Sequence, residues 1–359
     1  MISRTDRRAY ERYAQDHQVV LCESRDLTVR REPAADGFSY VHGRNGKPVS
    51  AKTAVRIDSL VIPPAWEDVQ IANDPAFHIQ AIGTDEAGRR QYCFHPDWEK
   101  ITSAVKADRL YEFGRSLPRI RRKVQRDIKR TSATKPLAAA TATWLLDKAN
   151  MRPGHEAYAE EGGRGAVTLR KSDVRIQRNG RIELRYKGKS AKRHHVTVKN
   201  STLAKKLDHL RRHSETRRVF VYGQQRQLTA SALNSYLRDA AGRAISAKDF
   251  RTFAATAYAL DKLARCAAKT EKARDRTIAN VSREVADMLR NTPAVAKSSY
   301  IHHDVLQEYK GGRLDPALVR GRRRQLLSRA ETALMRFLEQ RRQAGSASSR
   351  PLNQVPKKT

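Results

Sequence analysis

Acidic residues are scarce in this 359-residue chain: 38 Asp and Glu stand against 72 Lys and Arg, a formal net charge of +34 at pH 7. So large an excess disfavours cationic ligands and points to a polyanion, most simply nucleic acid, with an anionic membrane surface as runner-up. Cysteine is equally sparse. Cys22, Cys93 and Cys266 lie far apart and form no Cys-x-x-Cys pair, which argues against a disulfide framework or a cysteine zinc site and makes a reducing, cytoplasmic compartment the expectation. No stretch approaches the roughly eighteen apolar residues of a membrane span. The segment Met1–Tyr10 carries Arg4, Arg7 and Arg8 with no apolar run behind it, so neither secretion nor a membrane partner is expected.

What is present is periodic. Hydrophobic residues make up 39% of the chain, below the globular average, yet they recur in regular blocks, which implies a folded protein with a disordered fringe. The length suggests two domains. Residues from Asp26 to about Gln91 read as short strands: Gly43-Arg-Asn-Gly46 is a turn, Leu60-Val-Ile-Pro-Pro64 a strand stopped by prolines, and His78–Ile82 with Gln91–Phe94 a hairpin. After Trp98 long polar helices take over, interrupted by Gly114 and Pro118. From Phe113 to Arg130 there are eight Arg or Lys and one acid, either a solvated helix face or a basic connector. Pro136–Lys148 is an apolar helix. Period-2 alternation around Asn179-Gly180 predicts a second hairpin, and His195–Val198 a third strand. Helical spacing covers Leu203–His213, Thr229–Ala241, Asp249–Ala268, a stretch up to Arg290 and a last helix from Arg322 to Arg342.

Several chemistries fail on inspection. His155-Glu156 lacks the second His of a zinc-protease helix, Gly43-Arg-Asn-Gly46-Lys47 is too short for a phosphate loop, and Gly162-Gly163-Arg164-Gly165 follows no strand. The adjacent pairs His194-His195 and His302-His303 project in different directions, and no compact acidic cluster exists to hold two Mg²⁺, so no metal or cofactor is expected. Phosphoryl chemistry on nucleic acid would then fall to side chains: arginine donors for the non-bridging oxygens, a general acid for the leaving oxygen, and a nucleophile.

Seven colinear segments carry a family likeness: Leu60-Val-Ile-Pro-Pro-Ala-Trp66, His78-Ile-Gln-Ala81, Gly88-Arg-Arg-Gln-Tyr92 with His95-Pro96, Met151-Arg152-Pro-Gly154, Tyr186-Lys-Gly-Lys189, Lys248-Asp-Phe-Arg-Thr252, and Asn291-Thr-Pro-Ala-Val-Ala-Lys-Ser-Ser-Tyr300-Ile-His. Together, over about residues 25 to 315, the chain resembles the bacterial and poxvirus type IB DNA topoisomerases. The resemblance implies relaxation of supercoiled DNA without ATP or an obligatory metal: a tyrosine attacks a backbone phosphate to give a 3′-phosphotyrosyl link, the free 5′ end rotates, and the reverse attack reseals the strand. Matched residue by residue, it implies Tyr300 as nucleophile, Arg152 and Arg251 as the phosphate clamp, Lys189 as general acid with Lys187 and Lys192 as close rivals, and Asn291 as a neutral donor to a non-bridging oxygen. Arg251, with Asp249 at the opening of its helix, is expected to point out of a helix N-terminus, where anions are favoured. Arg89, Arg90, Gln91, Tyr92, Lys187 and Lys192 are expected on DNA, with Gln91 and Tyr92 in the major groove.

There are departures too. Pro153 stands where a small apolar residue is usual, Arg290 where Gly is usual, and Phe94 where a second Tyr is common. The expected fold is α+β: a small mostly β domain (25–100) after a basic extension (1–24), a basic helical linker (101–130), a larger mostly α catalytic domain with a three-stranded antiparallel sheet (131–318), a C-terminal basic helix (319–343) and a disordered tail (344–359). The expected partner is duplex DNA, preferably supercoiled, held by a monomeric clamp in the nucleoid. A tyrosine recombinase would use a similar residue set, but Lys248-Asp-Phe-Arg251 lacks the His that recombinases typically place three residues before the Arg. A non-catalytic DNA-binding protein is the other rival.

Overall fold

The computed structural model describes residues 4–160, 162–188 and 192–348. The chain divides into two compact units, Met1–Lys106 and Ala107–Thr359. In the first, helix α1 (Arg4–Asp16) precedes strands β1 (Val29–Ala34) and β2 (Gly37–His42), helix α2 (Ala51–Asp58), and strands β3 (Glu67–Ile71), β4 (Ile79–Thr84) and β5 (Arg90–Phe94). The strands form one antiparallel sheet in the order β2-β1-β3-β4-β5, with Ile82 opposite Tyr92 and Gly83 opposite Gln91 across the last pair. Val29, Val69, Ile71 and Ala81 face a small core closed by Ile57 of α2. β5 is an edge strand whose residues alternate between exposed and half-buried, which places Arg90, Tyr92 and Phe94 on one outward face.

Helix α3 (Trp98–Asp127) carries the chain across the boundary between the units. Phe113, Leu117, Ile120 and Val124 are buried along one stripe, while Arg115, Arg119, Arg122 and Arg126 are exposed at the same spacing on another. The basic run is therefore the solvated side of an amphipathic helix that continues from one unit into the other. Gly114 does not interrupt it: a side chain there would collide with Phe253 and Met335, which pack against the bare backbone.

Behind α3 lies α4 (Lys135–Ala149), capped by Thr134 and buried almost all round, as its alanine-rich sequence allows. Then come α5 (Glu156–Glu160) and the antiparallel sheet β6 (Val174–Ile176), β7 (Arg181–Lys187) and β8 (Arg193–Lys199), with β7 central. Helix α6 (Ser201–His213), the short pair β9 (Val221–Tyr222) and β10 (Arg226–Gln227), and helices α7 (Ala230–Ala241), α8 (Ala247–Ala264), α9 (Glu271–Leu289), α10 (Pro293–Ser299), α11 (His303–Lys310) and α12 (Arg329–Ser348) complete the unit around one large core. Arg121 ties α3 to α4 and α12 through Asp147 at 2.6 Å and Glu331 at 2.7 Å, all three side chains mostly buried.

The α+β class holds, and the local differences have physical reasons. Leu60–Pro64 is irregular chain and not a strand, because Val61 adopts φ 49° and Pro63 and Pro64 lack N–H groups for a ladder. Ala51–Asp58 is a helix because Ser50 caps it through the Thr53 N–H. Residues 4–16, expected as an extension, form α1, whose Ala14 joins Trp98 and Ile101 in a buried cluster. Helix α12 begins at Arg329 instead of Arg322 and continues to Ser348, past the expected start of the disordered tail; residues 349–359 lie outside the described residues.

Candidate active site

Arg152 follows the end of α4. Asn150 closes that helix in the left-handed conformation at φ 50°, and the chain then turns through the buried Met151. The Arg152 carbonyl accepts the Ala166 N–H at 2.8 Å, and the Pro153 carbonyl the Val167 N–H at 2.9 Å. Two glycines make this possible. A Cβ on Gly165 would lie 2.4 Å from the Gly154 nitrogen and 2.7 Å from the Arg152 carbonyl, so only bare backbone fits. The Arg152 guanidinium donates to Asn291 Oδ1.

Arg251 departs from its expected placement. It lies in the first turns of α8 yet is only 2% exposed, and its guanidinium reaches across to the ends of two other helices. One nitrogen donates to the Asn150 carbonyl at the end of α4, and Nη2 donates at 2.8 Å to the Leu289 carbonyl at the end of α9. Both are helix C-termini, whose unpaired carbonyls and dipoles favour a cation. Its helix N-terminus is held instead by Asp249, which accepts from Ser246 N at 2.7 Å and pairs with Arg109 at 2.7 Å.

Helix α9 ends at Leu289, Arg290 closes it in the left-handed conformation at φ 55°, and Thr292 immediately caps α10 with Pro293 in its first turn. This sharp reversal sets Asn291 beside Arg152. Tyr300 closes α10 outside helical geometry, and the Arg251 guanidinium lies 5.1 Å from the centre of its ring. Burial pushes the phenol up, but the charge of Arg251, the charge of Arg152 and the nearness of the Arg251 and Asn291 donors outweigh it, so its pKa falls below 10.0. Arg251 is lowered from 12.5 to about 10, first by burial and then by Arg152, and remains charged at neutral pH.

Two donors stand out. Arg251 Nε and Asn291 Nδ2 are buried, and neither makes a well-formed hydrogen bond among the described residues, although both groups lie near enough to Tyr300 to lower its pKa. A buried donor left unpaired costs about 1–3 kcal/mol. An anionic oxygen within reach of either donor would supply the missing acceptor.

Four of the expected site residues thus converge: Tyr300, Arg152, Arg251 and Asn291. Lys189 lies outside the described residues. Its rivals Lys187, at the end of β7, and Lys192, just before β8, are both exposed and flank the same hairpin tip. The remaining candidates lie in the other unit. Arg89 pairs with Asp85 at 2.8 Å and Gln91 Nε2 donates to the same carboxylate at 2.7 Å, so Asp85 orders the β4–β5 turn. Arg90 is exposed, and Tyr92 stacks on Phe94 at 5.8 Å with both rings open to solvent.

A second ring of residues escaped sequence reasoning. A cavity of about 10 Å³, room for roughly one water, is lined by Arg152, Arg164, Arg251, Arg290, Tyr186 and His194, and no carboxylate lines it. Burial, then the charges of Arg290 and Arg152, lower His194 to about 4, so its imidazole is neutral. Arg164 belongs to the Gly-Gly-Arg-Gly segment that fails as a phosphate loop. Its signal was the glycine pairing with Gly154, which only the folded chain reveals.

Two family models match this chain. That of the eukaryotic DNA topoisomerase I catalytic core covers residues 97–314, and that of the bacterial DNA topoisomerase IB N-terminal domain covers residues 37–85. A DNA topoisomerase 1B from Acanthamoeba polyphaga mimivirus is 33% identical over 295 residues, 79% of this chain and 87% of that protein. Among solved structures, XerH site-specific recombinase bound to palindromic difH substrate, a post-cleavage complex, aligns at a TM-score of 0.37 and 16% identity over 55% of this chain and 50% of that one. At that score the alignment does not establish a shared fold.

Proposed function

Because this chain belongs to the type IB DNA topoisomerases, we propose that it relaxes supercoiled duplex DNA by transient cleavage of one strand through Tyr300. The phenol oxygen attacks the scissile phosphorus as the phenolic proton departs, and the bond to the 5′-oxygen breaks. Lys189 donates the proton that makes this oxygen a hydroxyl, leaving the phosphate joined 3′ to the tyrosine. Rotation of the free 5′ end releases torsion, and the same hydroxyl then attacks the phosphotyrosine to restore the strand. The energy of the broken phosphodiester is kept in the new one.

In the pentacoordinate transition state, negative charge grows on the non-bridging oxygens. Arg152, Arg251 and Asn291 supply fixed donors there, inside a site with little water to screen them. The observation that carries this reading is the pair of buried, open donors on Arg251 and Asn291 beside the phenol. The exposed Arg90, Tyr92, Lys187 and Lys192 hold the duplex, and a single chain suffices, with both units gripping DNA.

The decisive test incubates purified protein with supercoiled plasmid in EDTA without ATP. Stepwise relaxation is expected. A plasmid that stays supercoiled across several salt concentrations would sink the reading.

A further inference from the structure

Helix α8 delivers a second group to the nucleophile. Little more than one turn beyond Arg251, Thr256 is fully buried. Its Oγ1 lies 3.0 Å from the Tyr300 carbonyl oxygen and 2.8 Å from the Thr252 carbonyl oxygen, and it accepts the His302 N–H at 3.2 Å. A hydroxyl has one proton and two lone pairs, so it accepts from His302 while its single proton serves one carbonyl at a time or is shared between the two.

The joint it holds is irregular. Tyr300 has φ −125° and ψ −28°, and the N–H groups of Tyr300 and Ile301 both go to the Ala296 carbonyl, at 3.2 and 3.1 Å. The next helix cannot take up the Tyr300 carbonyl in the ordinary way, because the Asp304 N–H four residues on bonds to His302 Nδ1 at 3.2 Å as a cap. Thr256 therefore clasps peptide groups on both sides of Ile301, and it does so from the helix that carries Arg251.

Resting on the functional reading above, we propose that Thr256 is a positioning residue for the nucleophile: its hydroxyl locks the Tyr300 backbone to α8, so that phenol and Arg251 meet the phosphate as one rigid body. The inference concerns geometry at the attacking oxygen and not the leaving group, which gives it a distinctive signature.

Thr256→Val keeps the shape and removes the hydroxyl; Thr256→Ser keeps the hydroxyl and removes the methyl. Single-turnover formation of the covalent adduct is measured on a duplex whose cleaved 5′ fragment dissociates, alongside non-covalent DNA affinity. The valine variant should form adduct about 10²-fold more slowly, the cost of displacing a reacting atom by about 1 Å, with affinity retained, and the serine variant should recover most of the rate. Replacing the 5′-oxygen by sulfur, a better leaving group, should rescue Lys189→Ala but not Thr256→Val. Should the valine variant fail to fold, Thr256→Ala carries the same expectations. Wild-type adduct rates in the valine or alanine variant, a serine variant as slow as valine, or rescue by sulfur would each overturn the proposal. A wild-type protein that forms no adduct on this duplex would overturn the functional reading, and the inference with it.

Discussion

The N-terminal edge strand and the core of the second unit hold their arginines in opposite surroundings. Arg89 and Arg90 stand in water at the β4–β5 turn, where Arg89 pairs with the half-buried carboxylate of Asp85. Arg251, by contrast, is sealed between two helix C-termini, and Arg152 leans on a neutral amide. Exposed charges act over a Debye length and are screened by salt, so they gather and orient a polyanion. Charges fixed by protein in a dry site need no solvent rearrangement when charge develops, so they serve a transition state. Under the proposed function, one residue type would do two jobs, and burial would divide them.

The contrast can be broken at several points. Tyr300→Phe should have the largest effect, abolishing both relaxation and the covalent adduct while filter binding of DNA persists; an active phenylalanine variant would remove the nucleophile from the scheme. Arg251→Lys comes next. A lysine cannot span the Asn150 and Leu289 carbonyls as the guanidinium does, so one is left unpaired: stability should fall by about 1–3 kcal/mol in thermal unfolding, and the cleavage rate by about 10²-fold. Unchanged values would show that the two helix ends do not need the fork. The smallest effect is expected at the surface. Arg90→Ala should weaken binding similarly across DNA sequences and lower the slope of log K against log salt by about 1, with a far smaller loss in cleavage rate than Arg251→Lys. A rate loss as large as that of the buried site would erase the distinction between the two environments.

Much of this was readable from particular residues. Alternation around Asn179-Gly180 places β6 and β7 correctly, because a sheet with one wet face writes its period into the sequence, and the polar loop between His78–Ile82 and Gln91–Phe94 marks the β4–β5 hairpin. Thr229 opens the expected helix and caps α7 by accepting the Ala232 N–H. Other features could not be read. Val61 and Arg290 take positive φ without glycine, a choice imposed by their surroundings. The direction of Arg251 was misjudged because the local rule for a helix N-terminus ignores carbonyls arriving from α4 and α9, which are remote in sequence.

The sequence by itself determined the charge of +34, the α+β class and the set of residue types gathered at Tyr300, because composition and short-range periodicity are properties of the chain. Only the tertiary structure decided which of those 72 basic residues are dry and which are wet, that Arg290 and His194 back the cluster, and that Thr256 reaches the Tyr300 carbonyl. Burial and hydrogen-bond pairing are set by segments far apart in sequence, so they exist only once the chain has folded.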